Sequence, residues 1–136
     1  MNPARRFRRD QALRRVRMKK RVLIVDDEPS VGEMLQTILE AEGYEVGITY
    51  DGPSGLAEIE KHPPHVLLLD FMLPGMDGIE VLCEARHRWP TLPVIIITAF
   101  GTPELSMKAN KFSVIEVVSK PFDTDKLLAL IAKATQ

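Results

Sequence analysis

The sequence predicts an α/β fold, a parallel sheet with helices on both faces. Two observations carry that expectation. Short apolar runs recur at residues 22–25, 66–69, 94–97 and 114–118, and stretches of helical periodicity with readable ends lie between them. Alternation of this kind with short connections implies parallel strands and right-handed crossovers. The 136-residue chain suits one domain of ordinary size, and its 45% hydrophobic content argues against disorder of the whole.

The elements follow in order. Val22-Leu23-Ile24-Val25 reads as the first strand. A helix from Pro29 to Glu42 puts Val31, Leu35, Ile38 and Leu39 on one stripe, and Gly43 ends it as a C′ glycine. Residues 44–50 alternate apolar and polar with period two, which suits a half-exposed edge strand. Leu56 and Ile59 mark a shorter helix stopped by Pro63-Pro64. The runs at 66–69 and 94–97 are continuously apolar, as strands buried on both faces should be. Between them, Asp77 can cap a helix carrying Ile79, Leu82 and Cys83 and closed by Pro90. Thr102 before Pro103 reads as N-cap and N1 of a fourth helix. Asp123 can cap a fifth, with Leu127, Leu128, Ile131 and Ala134 inward.

Charge divides the chain. It carries 18 basic and 19 acidic residues, but ten of the basic ones and only Asp10 fall in residues 1–21. The near-neutral total of −1 thus joins a leader of about +9 to a body of about −10. We expect a basic leader over 1–19 and a folded domain over 20–136. Three readings of the leader stay open: an extension upstream of a start at Met18, a solvated arm, or a segment that binds nucleic acid, acidic lipid or an acidic partner. Phe7, Leu13 and Val16 are too sparse for a membrane-binding helix face. No apolar run approaches the length of a membrane span, and no signal-peptide core follows the basic start. A lone cysteine, Cys83, excludes an internal disulfide and a Cys-based zinc site. The expectation is a cytoplasmic domain without membrane insertion.

Polar residues interrupt the pattern at one kind of place. Asp26 and Asp27 follow the first strand, Asp70 ends the third, Thr98 ends the fourth and Lys120 follows the fifth. In an open parallel sheet the carboxyl ends of the strands are where ligands bind. Any one of these could be an ordinary turn residue. Together they make a coherent set. Three crowded carboxylates call for a cation, and magnesium accepts one or two carboxylates with phosphate oxygens and water. Lysine supplies a point charge for phosphate, threonine a donor, and an aspartate can itself attack a phosphoryl group. Such a transfer depends mostly on positioning and charge neutralisation. The loop Leu73-Pro74-Gly75-Met76-Asp77-Gly78 forces a turn directly after Asp70.

The motifs Val22-Leu23-Ile24-Val25-Asp26-Asp27-Glu28-Pro29, Leu68-Leu69-Asp70-Phe71-Met72-Leu73-Pro74-Gly75-Met76-Asp77-Gly78, Ile96-Ile97-Thr98-Ala99 and Ser119-Lys120-Pro121-Phe122 resemble, in order and spacing, the receiver domain of bacterial two-component response regulators. The resemblance covers about residues 20–134. It implies a flavodoxin-like, doubly wound (βα)5 three-layer sandwich with a five-stranded parallel sheet of order 2-1-3-4-5. It also implies that Asp70 accepts a phosphoryl group from a sensor histidine kinase or histidine phosphotransfer protein. Asp26, Asp27, Asp70 and the backbone carbonyl of Met72 would then hold Mg²⁺, while Thr98 and Lys120 bind the phosphoryl oxygens. The implied role is a phosphorylation switch acting through a downstream protein, with no output domain on the chain. It would not be a conventional enzyme, although it would catalyse its own phosphorylation and slow dephosphorylation. The alternatives are a phosphorelay intermediate and a phosphorylation-independent interaction module. Nucleic acid is not an expected partner except through residues 1–17.

Two departures from the family pattern stand out. Val117 takes a position usually aromatic, so a muted or different response is expected on the face made by the fourth helix, fifth strand and fifth helix. Ser113 takes a common glycine position before the fifth strand, where either strain or a lengthened end of the fourth helix is expected. Met72 and Phe100 offer no polar group to orient water; packing at the crevice rim is their default role, a long-lived acyl phosphate the sharper expectation. His62 and His65 flank Pro63-Pro64, which breaks any helix that would align them on a metal. Cys83 is expected in the core, His87 on a solvated face and Trp89 in packing. No glycine-rich nucleotide loop is present.

Overall fold

The computed structural model describes residues 3–5, 8, 20–99 and 101–136. Phe100 and most of the basic leader lie outside the described residues. Five strands, β1 (Arg21–Val25), β2 (Glu45–Thr49), β3 (Val66–Asp70), β4 (Val94–Thr98) and β5 (Glu116–Ser119), alternate with helices α1 (Pro29–Ala41), α2 (Gly52–Lys61), α3 (Gly78–Arg88), α4 (Pro103–Asn110) and α5 (Thr124–Ala134). All pairings are parallel, and the sheet order is β2-β1-β3-β4-β5, the flavodoxin-like order expected.

Period-two alternation divides the strand side chains between two cores. Leu23, Val25, Leu67, Leu69, Val94 and Ile96 pack with Leu56 and Ile59 of α2, Val81, Leu82 and Ala85 of α3 and Ala109 of α4. Val22, Ile24, Val66, Leu68, Ile95 and Ile97 pack with Leu35 and Leu39 of α1 and Leu127 and Ile131 of α5. A helix layer thus covers each face. Strands β3 and β4 are buried along their whole length, which accounts for their unbroken apolar sequence, whereas β2 at the edge stays half-exposed.

The caps expected at Asp77, Thr102 and Asp123 hold, and Asp51 adds a fourth that the sequence reading did not name. Asp51, Asp77, Thr102 and Asp123 each accept a hydrogen bond from a backbone N–H of the first turn. Gly43 follows α1 with φ of 93°, the left-handed conformation that its C′ position requires. Two expectations are corrected. Cys83 is exposed; on α3 the inward stripe is Val81, Leu82 and Ala85. Strand β5 begins at Glu116, two residues after the apolar run starts, because the chain is still in a turn at Ser113. There φ is +57°, so the strain expected of a non-glycine residue at this position is present.

Arg86 of α3 fastens that turn. Its Nε donates to the Phe112 carbonyl at 2.8 Å, and its Nη1 donates to the carbonyls of Pro90 at 3.0 Å and Leu92 at 2.7 Å. One guanidinium therefore joins the end of α3, the α3–β4 connection and the end of α4. Burial without a carboxylate partner among these contacts pulls its pKa below the usual arginine value.

Candidate functional site

The strand order reverses between β2 and β3 on either side of β1, so connections leave the sheet in opposite directions there and open a crevice at its carboxyl edge. Register puts the polar residues along this edge. Val25 pairs with Thr49 and with Leu69, Asp70 with Ile97, and Thr98 with Ser119. Asp26 and Lys120 each follow their strand directly. The Asp26 N–H donates to the Thr49 carbonyl at 3.1 Å and the Lys120 N–H to the Thr98 carbonyl at 2.7 Å, so neighbouring strands fix both positions.

The structure brings Asp26, Asp70 and Lys120 into direct contact. Lys120 Nζ lies 2.8 Å from Asp26 Oδ2 and 3.0 Å from Asp70 Oδ2. Asp26 and Thr98 are fully buried and Asp70 nearly so, while Asp27 and Met72 are exposed. Each buried carboxylate also accepts a bond from the loop that follows it. The Met72 N–H donates to Asp70 Oδ1 at 3.0 Å, and the Glu28 N–H donates to Asp26 Oδ1 at 2.9 Å. Met72 itself, expected to pack at the rim, leaves 55% of its surface in solvent.

The electrostatics follow from this packing. Burial raises the Asp70 pKa above the usual carboxylate value; the Met72 amide and Lys120 oppose the rise, and Asp26 adds to it. Burial alone would lower Lys120, but its hydrogen bonds to Asp26 and Asp70 outweigh that and hold its pKa above normal. The ammonium is therefore charged at neutral pH and offsets part of the negative cluster.

The loop after Asp70 turns on a close approach. The Gly78 N–H donates to the Phe71 carbonyl at 3.0 Å. A Cβ on Gly78 would stand 2.4 Å from Phe71 Cα and 3.0 Å from the Asp70 carbonyl oxygen, so only glycine lets the loop close against the end of β3.

One member of the site had no role in the sequence reading. Glu28 joins Asp26, Asp27 and Asp70 in a group in which one carboxylate oxygen from each lies within 4.8 Å of the others, and its Oε1 is 3.7 Å from Lys120 Nζ. The signal was a third consecutive acid after β1. The histidines stay apart from this site. His65 Nδ1 accepts the Arg21 N–H at 2.9 Å, which commits that nitrogen to the sheet's amino edge. No helix among the described residues is long and apolar enough to cross a membrane.

Comparison with known proteins agrees with this geometry. A model of the response regulator receiver domain matches residues 22–132. The chain is 35% identical over 117 residues to the nitrogen assimilation regulatory protein NtrX of Azorhizobium caulinodans, a match covering 85% of this chain and 26% of that protein. It is 37% identical over 116 residues to the regulatory protein AtoC of Escherichia coli, covering 85% of this chain and 25% of that one. The chain thus spans about a quarter of the length of these curated relatives. Among solved structures, a CheY-like response regulator receiver domain protein from Methanospirillum hungatei superposes with a TM-score of 0.82 at 34% identity, covering 85% of this chain and 93% of that one.

Proposed function

The chain belongs to the response regulator receiver domain family, and from that membership we propose that it is a phosphorylation switch whose acceptor is Asp70. The observation that carries the reading is the Asp70 carboxylate itself. It stands at the carboxyl end of a central strand, buried on its sides and bonded to Lys120 at 3.0 Å. In the reaction, an Asp70 oxygen attacks phosphorus while the bond from phosphorus to the donor histidine's nitrogen breaks, leaving an acyl phosphate and a free imidazole. Lys120 neutralises charge on the phosphoryl oxygens, and the Thr98 hydroxyl, one strand away, donates to one of them. Sensor histidine kinases or phosphotransfer proteins are the proposed donors. A downstream protein surface is the proposed receiver of the signal.

The donor set suits magnesium. The carboxylates of Asp26, Asp27 and Asp70 are hard oxygen ligands gathered within 4.8 Å, and the Met72 carbonyl follows on the same loop. When bound, magnesium would neutralise charge on the transferring group. Asp26 and Asp70 are held ready for this by the Glu28 and Met72 amides, which fix one oxygen of each.

Incubation with acetyl phosphate and MgCl₂ followed by intact-mass measurement tests the reading. One phosphoryl adduct is expected, lost in Asp70→Asn and on chelation of the metal. An adduct that survives Asp70→Asn would overturn it and favour another acceptor. No adduct at all would favour a phosphorylation-independent interaction module.

A further inference from the structure

We propose that Glu28 is a positioning residue for cation loading: its carboxylate receives the Lys120 ammonium when a divalent cation takes over Asp26 and Asp70. The inference rests on the magnesium reading above.

Lys120 occupies the place between the two carboxylates that a cation would use. Its Nζ is 2.8 Å from Asp26 Oδ2 and 3.0 Å from Asp70 Oδ2. An ammonium and a divalent ion repel at such distances, so loading has to shift the ammonium. Its stem holds it in the crevice, since the side chain is only 12% exposed. A retreat without a partner would strand a charge at a partly buried position. Among the described residues, the remaining carboxylate within 4 Å is Glu28, at 3.7 Å. That gap is longer than a hydrogen bond, and the Glu28 side chain is 57% exposed, so it has room to swing and close the distance.

A second feature points the same way. Glu28 is the N-cap of α1, yet its side chain makes no capping bond, unlike the N-cap side chains of α2 to α5. Its backbone is fixed instead. The N–H bonds Asp26 Oδ1 at 2.9 Å, and the carbonyl accepts from Val31 and Gly32 at 3.1 and 3.3 Å. A fixed main chain with a carboxylate only loosely paired to Lys120 is what a receiving group needs.

The test is calorimetric titration with MgCl₂ of the unsubstituted chain, Glu28→Gln, Lys120→Met and the double variant. Glu28→Gln is expected to weaken Mg²⁺ binding about two- to fivefold, in keeping with a partly exposed ion pair. In the Lys120→Met background, where no ammonium has to move, the same substitution should have much less effect. Equal weakening in both backgrounds would mean that Glu28 acts on the metal as bare charge, and no weakening in either would mean that it does nothing; each overturns the inference. Should Lys120→Met fail to fold, the ¹³C signal of the Glu28 carboxyl decides in the unsubstituted chain. It should move on Mg²⁺ addition; a stationary signal overturns the inference. An unsubstituted chain that binds no Mg²⁺ overturns the magnesium reading itself.

Discussion

Asp70 carries a negative charge in a place that burial makes unfavourable for it, and this has a measurable sign. Its pKa is raised, so the folded protein binds the proton more tightly than the unfolded chain. The stabilisation this gives is fully present below the ordinary carboxylate value of 3.8 and is lost as pH rises through the raised folded value. At neutral pH without metal, ionised Asp70 therefore destabilises the fold. Asp70→Asn should melt higher than the parent in chelator at pH 7, the relief of buried charge outweighing the lost bond to Lys120. The difference should shrink toward pH 4 and on adding Mg²⁺, as thermal scans at each pH would reveal. A variant that melts lower at pH 7 would contradict this account. Gly78 presents the opposite case, since its replacement meets main chain that cannot step aside. Gly78→Ala should destabilise by roughly 1–3 kcal/mol in urea unfolding and should also slow phosphorylation, because the displaced atoms belong to Phe71 and Asp70.

The elements differ in how firmly they are held. Strands β3 and β4 are wholly buried, whereas α4 has Ala109 as its one buried residue among those described. A short helix so lightly packed belongs to the low-stability end of the molecule. The Arg86 staple and the strained Ser113 turn both sit at its C-terminal end. Ser113→Gly should relieve the strain and stabilise the domain by about 0.5–1 kcal/mol, read as a higher urea midpoint at unchanged slope. Beside it, half-buried Val117 has no ring to swing inward. Amide shifts with and without a beryllofluoride mimic should accordingly change little along α4, β5 and α5. Large changes there would show another route for the response. These same elements mark the limits of the sequence. Caps and apolar runs located the strands and most helices, because Asp77, Thr102 and Asp123 leave strong local signals; the Asp51 cap went unread, and that helix was placed by Leu56, Ile59 and the prolines after it. The face of α3 was less legible, since Cys83 and Val81 are both apolar enough to fit an inward stripe and only tertiary packing chooses Val81. The later start of β5 came from a turn conformation at Ser113 that serine does not advertise.

Across the whole molecule, the gathering of the candidate site residues was legible because a parallel sheet brings together strand ends that are far apart in sequence. Lys120 and Asp26 are 94 positions apart yet bonded, a contact that follows once both are assigned to carboxyl ends. Glu28 escaped because a third acid after a strand also reads as an ordinary helix start, and its approach to Lys120 depends on side-chain direction. Part of the acidic body's charge is gathered in Asp26, Asp27, Glu28 and Asp70 at one edge of the sheet, while Arg21, where the basic leader joins, lies at the other. A cation held by the folded site alone raises stability by mass action, so the melting midpoint should climb with Mg²⁺ concentration and lose that dependence in Asp26→Asn.

The direction of the last helix has a practical side. A strand of five residues such as β1 rises about 16 Å from its amino to its carboxyl end. The 11 residues of α5 run back over about the same 16 Å. Accordingly, Leu128 and Ala132 of α5 line a small cleft with Glu42 and Tyr44, next to the start of β2. Arg21 and Ala134 therefore sit at the same pole, across the sheet from the acidic crevice. A fluorophore, an affinity handle or a biosensor surface attached beside Ala134 would leave the crevice facing outward.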